Sequence, residues 1–451
     1  MELRIDRQAL VPVVQQIVDA LSGWIRLSGI EPGTRLPSIR QLARDNLLSQ
    51  SCVVEAYERM VAQGVLVSRH GTSFFVAMPS SAPEFSASPR NSLPLGHGGM
   101  PEHWRESDDL GYAICQVSRT DMQGLFSYSS DYGLPALRQQ ILRRLRSFNI
   151  AADETQVIST TGATHGLDLI IRALLKPGDC VVVENPGYPN LFEQLRLHGV
   201  RLLEVPRTPR GPDIEALEAL MRCHSPRALF INSLCHNPTG TSLSLEVAQQ
   251  LLALAEQYGA MIVEDDVYAD FQGRSAVRLA ALDRSGCVIY VGSFSKTLSS
   301  SLRVGFVMAG EEIAARLATV KRITSLGTSQ FCESVLAQLL ANGAYRKLIQ
   351  RQRLRLRHDM RATLQVLEDR EWEVFGQPTA GLYIWARPKK RDRQQICASA
   401  LLHGVSLSCS STFNATGQTS DWLRINVAYA DDARALAFFQ ECSLSDRPQA
   451  S

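Results

Sequence analysis

Between Ala77 and Gly99 the chain reads AMPSSAPEFSASPRNSLPLGHGG. Serine, proline, alanine and glycine dominate and no apolar period survives, so this stretch reads as a linker without a core face of its own. It divides a chain of 451 residues into a short segment and a long one, each of which must build its own core. The expected bounds are a first domain over 1–76, a linker over 77–95 and a second domain over 96–451. Composition adds mainly exclusions. A hydrophobic content of 45% with 20% charged residues belongs to a globular protein. No run approaches the ~18 apolar residues that mark a membrane span, and no apolar stretch follows MELRIDRQAL as a signal peptide requires. No membrane partner is therefore expected, and the cytoplasm is the expected compartment. The ten cysteines form no C-x-x-C pair, which predicts reduced thiols and no metal site.

The first 76 residues hold 8 arginines and no lysine against 7 carboxylates. That balance is too even to argue for nucleic acid by charge, so pattern must carry the case. Val14, Ile17, Val18, Leu21, Trp24 and Ile25 fall on one face of a helix. EPGTRLPSIR breaks it, and Ser38 stands as the N-cap of a second helix that carries Ile39 and Leu42. After a turn at Asn46-Leu47-Leu48, the spacing of Val53, Val54, Tyr57, Met60 and Val61 predicts a third helix, which Gly64 ends. VLV, a turn at Arg69-His70-Gly71 and SFFV predict a hairpin. Three helices and a hairpin make a winged helix-turn-helix.

The stretch PGTRLPSIRQLARDNLLSQSCVVEAYERMVAQGVLVSRHGTSFFV resembles the winged-helix domain of the GntR superfamily of bacterial repressors. It shares the L-P-S-x-R-x-L-A core, an A-Y-x-x-L-like third helix and a glycine-bearing wing. The resemblance implies double-stranded operator DNA as partner. Arg35 and Arg40 are the expected contacts, with Ser49, Gln50 and Ser51 opening the recognition helix and His70 and Gly71 at the wing tip. Gln50 stands where the family usually has arginine, and the wing lacks the second glycine of the common G-x-G. Glutamine favours adenine where arginine favours guanine. A protein–protein adaptor is the alternative for this module.

Beyond the linker, helical periods alternate with short apolar runs, the pattern of an α/β fold. In CVIYVGSFSK an apolar strand delivers Lys296, with Ser293, Ser295 and Arg303 around it. An amine at the end of a buried strand suits a nucleophile toward an aldehyde, and the hydroxyls and arginine suit a phosphate. Both demands meet in pyridoxal 5′-phosphate (PLP). AMIVEDDVYAD delivers Asp265 for a pyridine nitrogen, with Asp266 expected as a hydrogen-bonding partner. Asn237 in HNPTG and Tyr268 are donors for the phenolic oxygen. Gly162, Ala163 and Thr164 open a helix whose N-terminus suits the phosphate. Tyr188 either stacks on the ring or packs in the core, while His165 and His236 are read as hydrogen-bonded neighbours.

This order resembles the fold-type I aminotransferases of class I/II, which implies a large α/β sheet domain with a smaller C-terminal α+β subdomain. By that resemblance Tyr128, in YSSDYGLPALRQQI, reaches the phosphate of a partner subunit, and Arg424, in DWLRINVAY, clamps a carboxylate. Ser300 and Ser301 replace the family's Pro-Gly after the lysine, while Arg303 is retained. A winged helix of GntR type joined to such a domain resembles the MocR/GabR-type regulators. The resemblance implies a transcriptional regulator with PLP held as a Lys296 aldimine, answering to an amino-acid-like effector or to PLP itself. It further implies a head-to-tail, domain-swapped homodimer. The alternative is a working PLP-dependent aminotransferase with an accessory or vestigial DNA-binding domain.

Overall fold

The computed structural model describes residues 3, 5, 12–27, 33–62, 65–69, 73–76, 92–101, 104, 107–120, 126–273 and 275–443. His70, Gly71 and Gly64, and the linker over 77–91, lie outside the described residues. The chain forms two compact units.

The first unit has helices α1 (Val13–Leu27), α2 (Ile39–Asp45) and α3 (Gln50–Ala62), then strands β1 (Leu66–Arg69) and β2 (Ser73–Val76) paired antiparallel. Ile17, Leu21, Leu42, Val53, Tyr57 and Met60 are fully buried, so the helical faces read from the sequence meet in one core. Each such side chain contributes roughly 1.5–3 kcal/mol by leaving water. Ser38 caps α2, its Oγ accepting from the Gln41 amide at 3.2 Å. The Tyr57 hydroxyl donates to Pro37 O at 2.8 Å and its ring meets Phe74 edge-on, which ties α3 to both the turn and the wing.

The second unit is built on an eight-stranded sheet. Its strands are β3 (Val157–Thr160), β4 (Cys180–Asn185), β5 (Arg201–Thr208), β6 (Gly211–Pro212), β7 (Ala228–Ile231), β8 (Met261–Asp265), β9 (Val288–Ser293) and β10 (Gly305–Met308). They lie in the order β3-β10-β9-β8-β7-β4-β5-β6. Strands β5, β4, β7, β8 and β9 are parallel, while β10 runs antiparallel to β9 and β3. The apolar runs ALFI and VIYV are buried along their whole length, as central strands covered on both faces must be, and VIST at the edge of the sheet is buried as well. This topology brings Thr160, Ile231, Asp265 and Ser293 to the same edge, where the carboxyl ends of parallel strands leave a crevice.

A smaller antiparallel sheet follows, made of β11 (Glu373–Val374), β12 (Tyr383–Arg387) and β13 (Leu423–Asn426). It packs with Leu356, Met360 and Leu367 of the long helix Ala344–Asp369 and with Phe438 and Phe439 of the helix Ala433–Ser443. The expected linker ends earlier than residue 95. Leu93 and Leu95 are buried in this same core, and Leu93 exchanges backbone hydrogen bonds with Gly404 and Ser406, both at 2.8 Å. Two leucines flanking Pro94 give this short stretch an apolar face that its serine-rich and glycine-rich surroundings conceal.

Candidate functional site

Asp265 and Asp266 are consecutive, so they leave the end of β8 in opposite directions. Asp266 turns into the core. Its Oδ2 accepts from Arg278 Nε and from the Tyr290 hydroxyl, each at 2.8 Å, and both members of the ion pair have fully buried side chains. Asp265 faces the crevice, where its Oδ1 accepts from the Val267 amide at 3.3 Å. Burial pushes its carboxyl up to about 7, and the nearby charge of Lys296 opposes the rise. A carboxylate so placed favours a cationic partner.

Lys296 lies in the turn after β9, and its Nζ donates to Gly98 O at 2.8 Å. Gly98 O also accepts from the Tyr383 hydroxyl at 3.1 Å, and Tyr383 accepts from the Tyr268 hydroxyl at 3.1 Å. Tyr268, Tyr383 and Lys296 thus converge on one carbonyl. The turn beyond the lysine is built without Pro-Gly. Ser299 Oγ accepts the amides of Ser301 and Leu302 at 3.2 and 3.3 Å, and Arg303 closes it with a left-handed φ of 50°.

Arg303 then reaches back to Ser295 Oγ at 3.2 Å and Thr161 O at 3.4 Å. A Cβ on Gly162, which has φ +76°, would lie 2.6 Å from the Arg303 Nη2, so glycine lets the guanidinium sit over the first turn of the helix Gly162–Leu174. Ala163 and Thr164 lie in that turn. Ser293 spends its Oγ on the Ser295 amide at 3.2 Å. A helix N-terminus, an arginine and Ser295 together form an anion cradle. His165 Nδ1 accepts the Thr161 amide at 3.0 Å, so it serves this turn as a cap.

Arg424 projects from β13. Its Nη1 donates to Asn237 Oδ1 at 2.7 Å, its Nη2 to Gly96 O at 2.7 Å and to Ser408 Oγ at 3.2 Å. The guanidinium lies 4.8 Å from the Tyr383 ring centre and 4.7 Å from that of Phe413, within cation–π range of both. His236, beside Asn237, is buried: its Nε2 stands 3.5 Å from Glu184 Oε2, and burial holds it down to about 4. Tyr188 is partly buried at the start of the helix Pro189–Leu197, close enough to Asp265 to feel its charge.

Lys296, Asp265, Asn237, Tyr268, Tyr188, Arg303, Gly162 and Arg424 are therefore gathered at one crevice. Tyr128 is not joined to it within this chain: its side chain is 83% exposed. In the first unit Arg35, Arg40, Gln50 and Ser51 are exposed, with Arg35 Nη2 donating to Ser73 Oγ at 3.1 Å. Ser49 uses its hydroxyl as the cap of α3, accepting the Cys52 amide at 3.3 Å. Sequence reasoning missed Gly96, Gly98, Tyr383 and Ser408. Gly96 and Gly98 were hidden in a stretch read as linker, although a Cβ on Gly96 would fall 2.2 Å from the Ser408 amide nitrogen. Among the described residues no cluster of His, Cys, Asp and Glu could hold a metal, and no helix is long and apolar enough to cross a membrane.

Comparison with known proteins places both units. Residues 91–438 match the family described as aminotransferase class I and II, and residues 13–76 match bacterial regulatory proteins of the gntR family. The probable rhizopine catabolism regulatory protein MocR of Rhizobium meliloti is 30% identical over 85% of this chain and 83% of its own. A 2-aminoadipate transaminase of Thermus thermophilus is 31% identical over 74% of this chain and 85% of its own. Among solved structures, the α-aminoadipate aminotransferase LysN of Thermus thermophilus, complexed with N-(5′-phosphopyridoxyl)-L-leucine, superposes with a TM-score of 0.71 at 28% identity, covering 78% of this chain and 92% of its own. The crevice fits the cofactor of such enzymes: Asp265 offers a buried carboxylate to a ring cation, and an amine and an anion cradle complete the donor set. The chain belongs to the MocR-type regulators, in which a GntR helix-turn-helix module is joined to an aminotransferase class I/II domain whose cofactor is pyridoxal 5′-phosphate.

Proposed function

We propose that this protein is a DNA-binding transcriptional regulator whose operator affinity is set by PLP and an amino-acid-like effector at the crevice. The observation that carries this reading is a pair of hydrogen-bond chains that hold the crevice residues together. One runs Lys296–Gly98–Tyr383–Tyr268, the other Arg424–Asn237–Asn232–Asp265. Bound PLP supplies an aldehyde that primary amines attack and a ring that draws electrons. Lys296 holds that aldehyde, Asp265 pairs with the ring nitrogen, Asn237 and Tyr268 donate to the ring oxygen, and Tyr188 lies against the ring. Gly162, Ala163, Thr164, Ser293, Ser295 and Arg303 hold the phosphate. Arg424 orients the effector's carboxylate or sulfonate. Arg35, Arg40, Ser49, Gln50 and Ser51 face the operator, together with His70 and Gly71.

Tyr128, 83% exposed beside Phe126 at 85%, reaches the partner's phosphate site in a head-to-tail homodimer. Two aromatic rings left in water on one loop support a protein surface as their destination. An effector moves the DNA-bound population only through different affinities for the two states.

The test is fluorescence anisotropy on labelled DNA from upstream of the gene, with cofactor-free and PLP-loaded protein and a panel of amino acids. Binding that shifts with PLP or with one amino acid is expected, and Lys296→Ala removes both the shift and the visible absorbance of the bound cofactor. Steady turnover of amino donor and keto acid with no specific DNA binding would overturn the reading in favour of an aminotransferase.

A further inference from the structure

Asn232 stands one residue past β7 and is 9% exposed. Its side chain spends both kinds of amide atom on two different segments of the crevice. Nδ2 donates to Asp265 O at 2.8 Å and to Leu234 O at 3.3 Å, while Oδ1 accepts from the Asn237 amide at 2.8 Å. Its backbone is fixed just as firmly. The amide donates to Glu184 Oε2 at 2.7 Å, and the carbonyl accepts from Arg207 Nη1 at 3.1 Å. Glu184 and Arg207 form an ion pair whose side chains are 3% and 0% exposed, and Arg207 goes on to Thr241 Oγ1 at 3.3 Å.

We infer that Asn232 is a positioning residue that sets the spacing between Asp265 and Asn237, an inference resting on the assignment of those two side chains to the cofactor's ring. Asp265 ends β8, whereas Asn237 sits in the loop after β7, so their separation is not fixed by a single element. A ring that meets a carboxylate on one edge and an amide on another tolerates little error in that separation, since small displacements at a site are felt strongly. Only a short side chain with an acceptor and two donors bonds both segments at once. Aspartate keeps the acceptor toward Asn237 and loses the donors; alanine loses everything. The buried Glu184–Arg207 pair anchors the node from behind, through the backbone of Asn232.

The experiment uses the full-length protein and its Asn232→Ala and Asn232→Asp variants. PLP affinity, the pH midpoint of the bound cofactor's visible absorbance, and the melting of the cofactor-free protein are measured for each. Asn232→Ala is expected to weaken PLP binding about tenfold and to move the absorbance midpoint by about half a unit or more, with a cooperative melt retained. Asn232→Asp, which preserves shape, moves the midpoint as well and serves where the alanine variant does not fold. Variants that melt earlier yet keep the wild-type PLP affinity and midpoint would make Asn232 a purely structural residue and overturn the inference. Wild-type protein that takes up no PLP would instead overturn the cofactor assignment on which it rests.

Discussion

The two units carry their functional residues in opposite ways. In the first, Arg40, Gln50 and Ser51 are exposed and take no part in the core of Ile17, Leu42 and Tyr57. In the second, the crevice is backed by buried networks: Asp266 with Arg278 and Tyr290, and Glu184 with Arg207, while Asn237 within it is tied to Arg424. A convex site that meets a large charged partner needs shape and charge at its surface. A concave site for a small ligand needs preorganised donors, which must be held by a second layer of partners. Substitutions in the first unit should therefore move binding without moving the fold, and substitutions behind the crevice should move both.

The strongest way to break that contrast is at the adjacent carboxylates. Asp266→Ala leaves Arg278 buried without its partner and is expected to cost the second unit about 3–5 kcal/mol, seen as an early melt. Asp265→Ala, one residue away, should change stability by no more than ~1 kcal/mol while PLP affinity falls. Equal melting of the two variants would show that their environments do not differ as described. The next effect is smaller and depends on pH. Burial and Arg207 hold His236 down to about 4 against an ordinary 6.5. The unfolded chain binds this proton first, so its contribution is complete above pH 6.5 and is lost as pH falls toward 4. Comparing wild type with His236→Gln reads that contribution together with its coupling to Glu184, which Arg207 and His236 hold down against burial. Asp265 and Glu264, which burial raises to about 7, act in the opposite sense in both proteins. The stability difference between the two should change by about 3 kcal/mol across that window. His236→Gln should leave the melt of the first unit unchanged across the same window.

Much of both units was legible because local signals agreed with the fold. Ser38, the α1 face and the buried run of β9 follow from capping and local pattern alone, and Asp265 and Lys296 stood out because each follows an apolar strand. The rest depended on distance along the chain. Lys296 meets Gly98 across 198 positions and Arg424 meets Gly96 across 328, and no periodicity carries such a pairing. Composition actively misled at Gly96, where glycine is required by a close approach to Ser408 but reads as linker. Tyr383 was passed over because YIWAR reads simply as a buried strand, and nothing local says that its hydroxyl turns toward the lysine's carbonyl partner. Asn232 was lost for a similar reason, since one polar residue after ALFI looks like the end of a strand.

A third effect tests the exposed surface itself. Arg40→Ala should weaken operator binding about tenfold and lower the slope of log affinity against log salt by about 1, as removal of one phosphate contact does. The melting of both units should stay where it was. A changed melt with an unchanged slope would mean that Arg40 serves the fold of α2 and not the DNA.

The smallest effect tests where the contrast between the units begins to fail, because Ser38 caps the helix that carries Arg40. Its Oγ satisfies the Gln41 amide, and Arg40 lies inside the turn that this bond organises. Ser38→Ala removes the cap and should destabilise the first unit by about 1 kcal/mol, while Ser38→Gly costs only a few tenths because water can reach the freed amide. If capping alone is at stake, operator affinity at a temperature well below the melt is unchanged in both variants. A loss of affinity that follows the order of destabilisation would show that the turn holding Arg40 is preorganised by the cap. The exposed site would then rest on its own supporting layer, reduced to a single hydrogen bond.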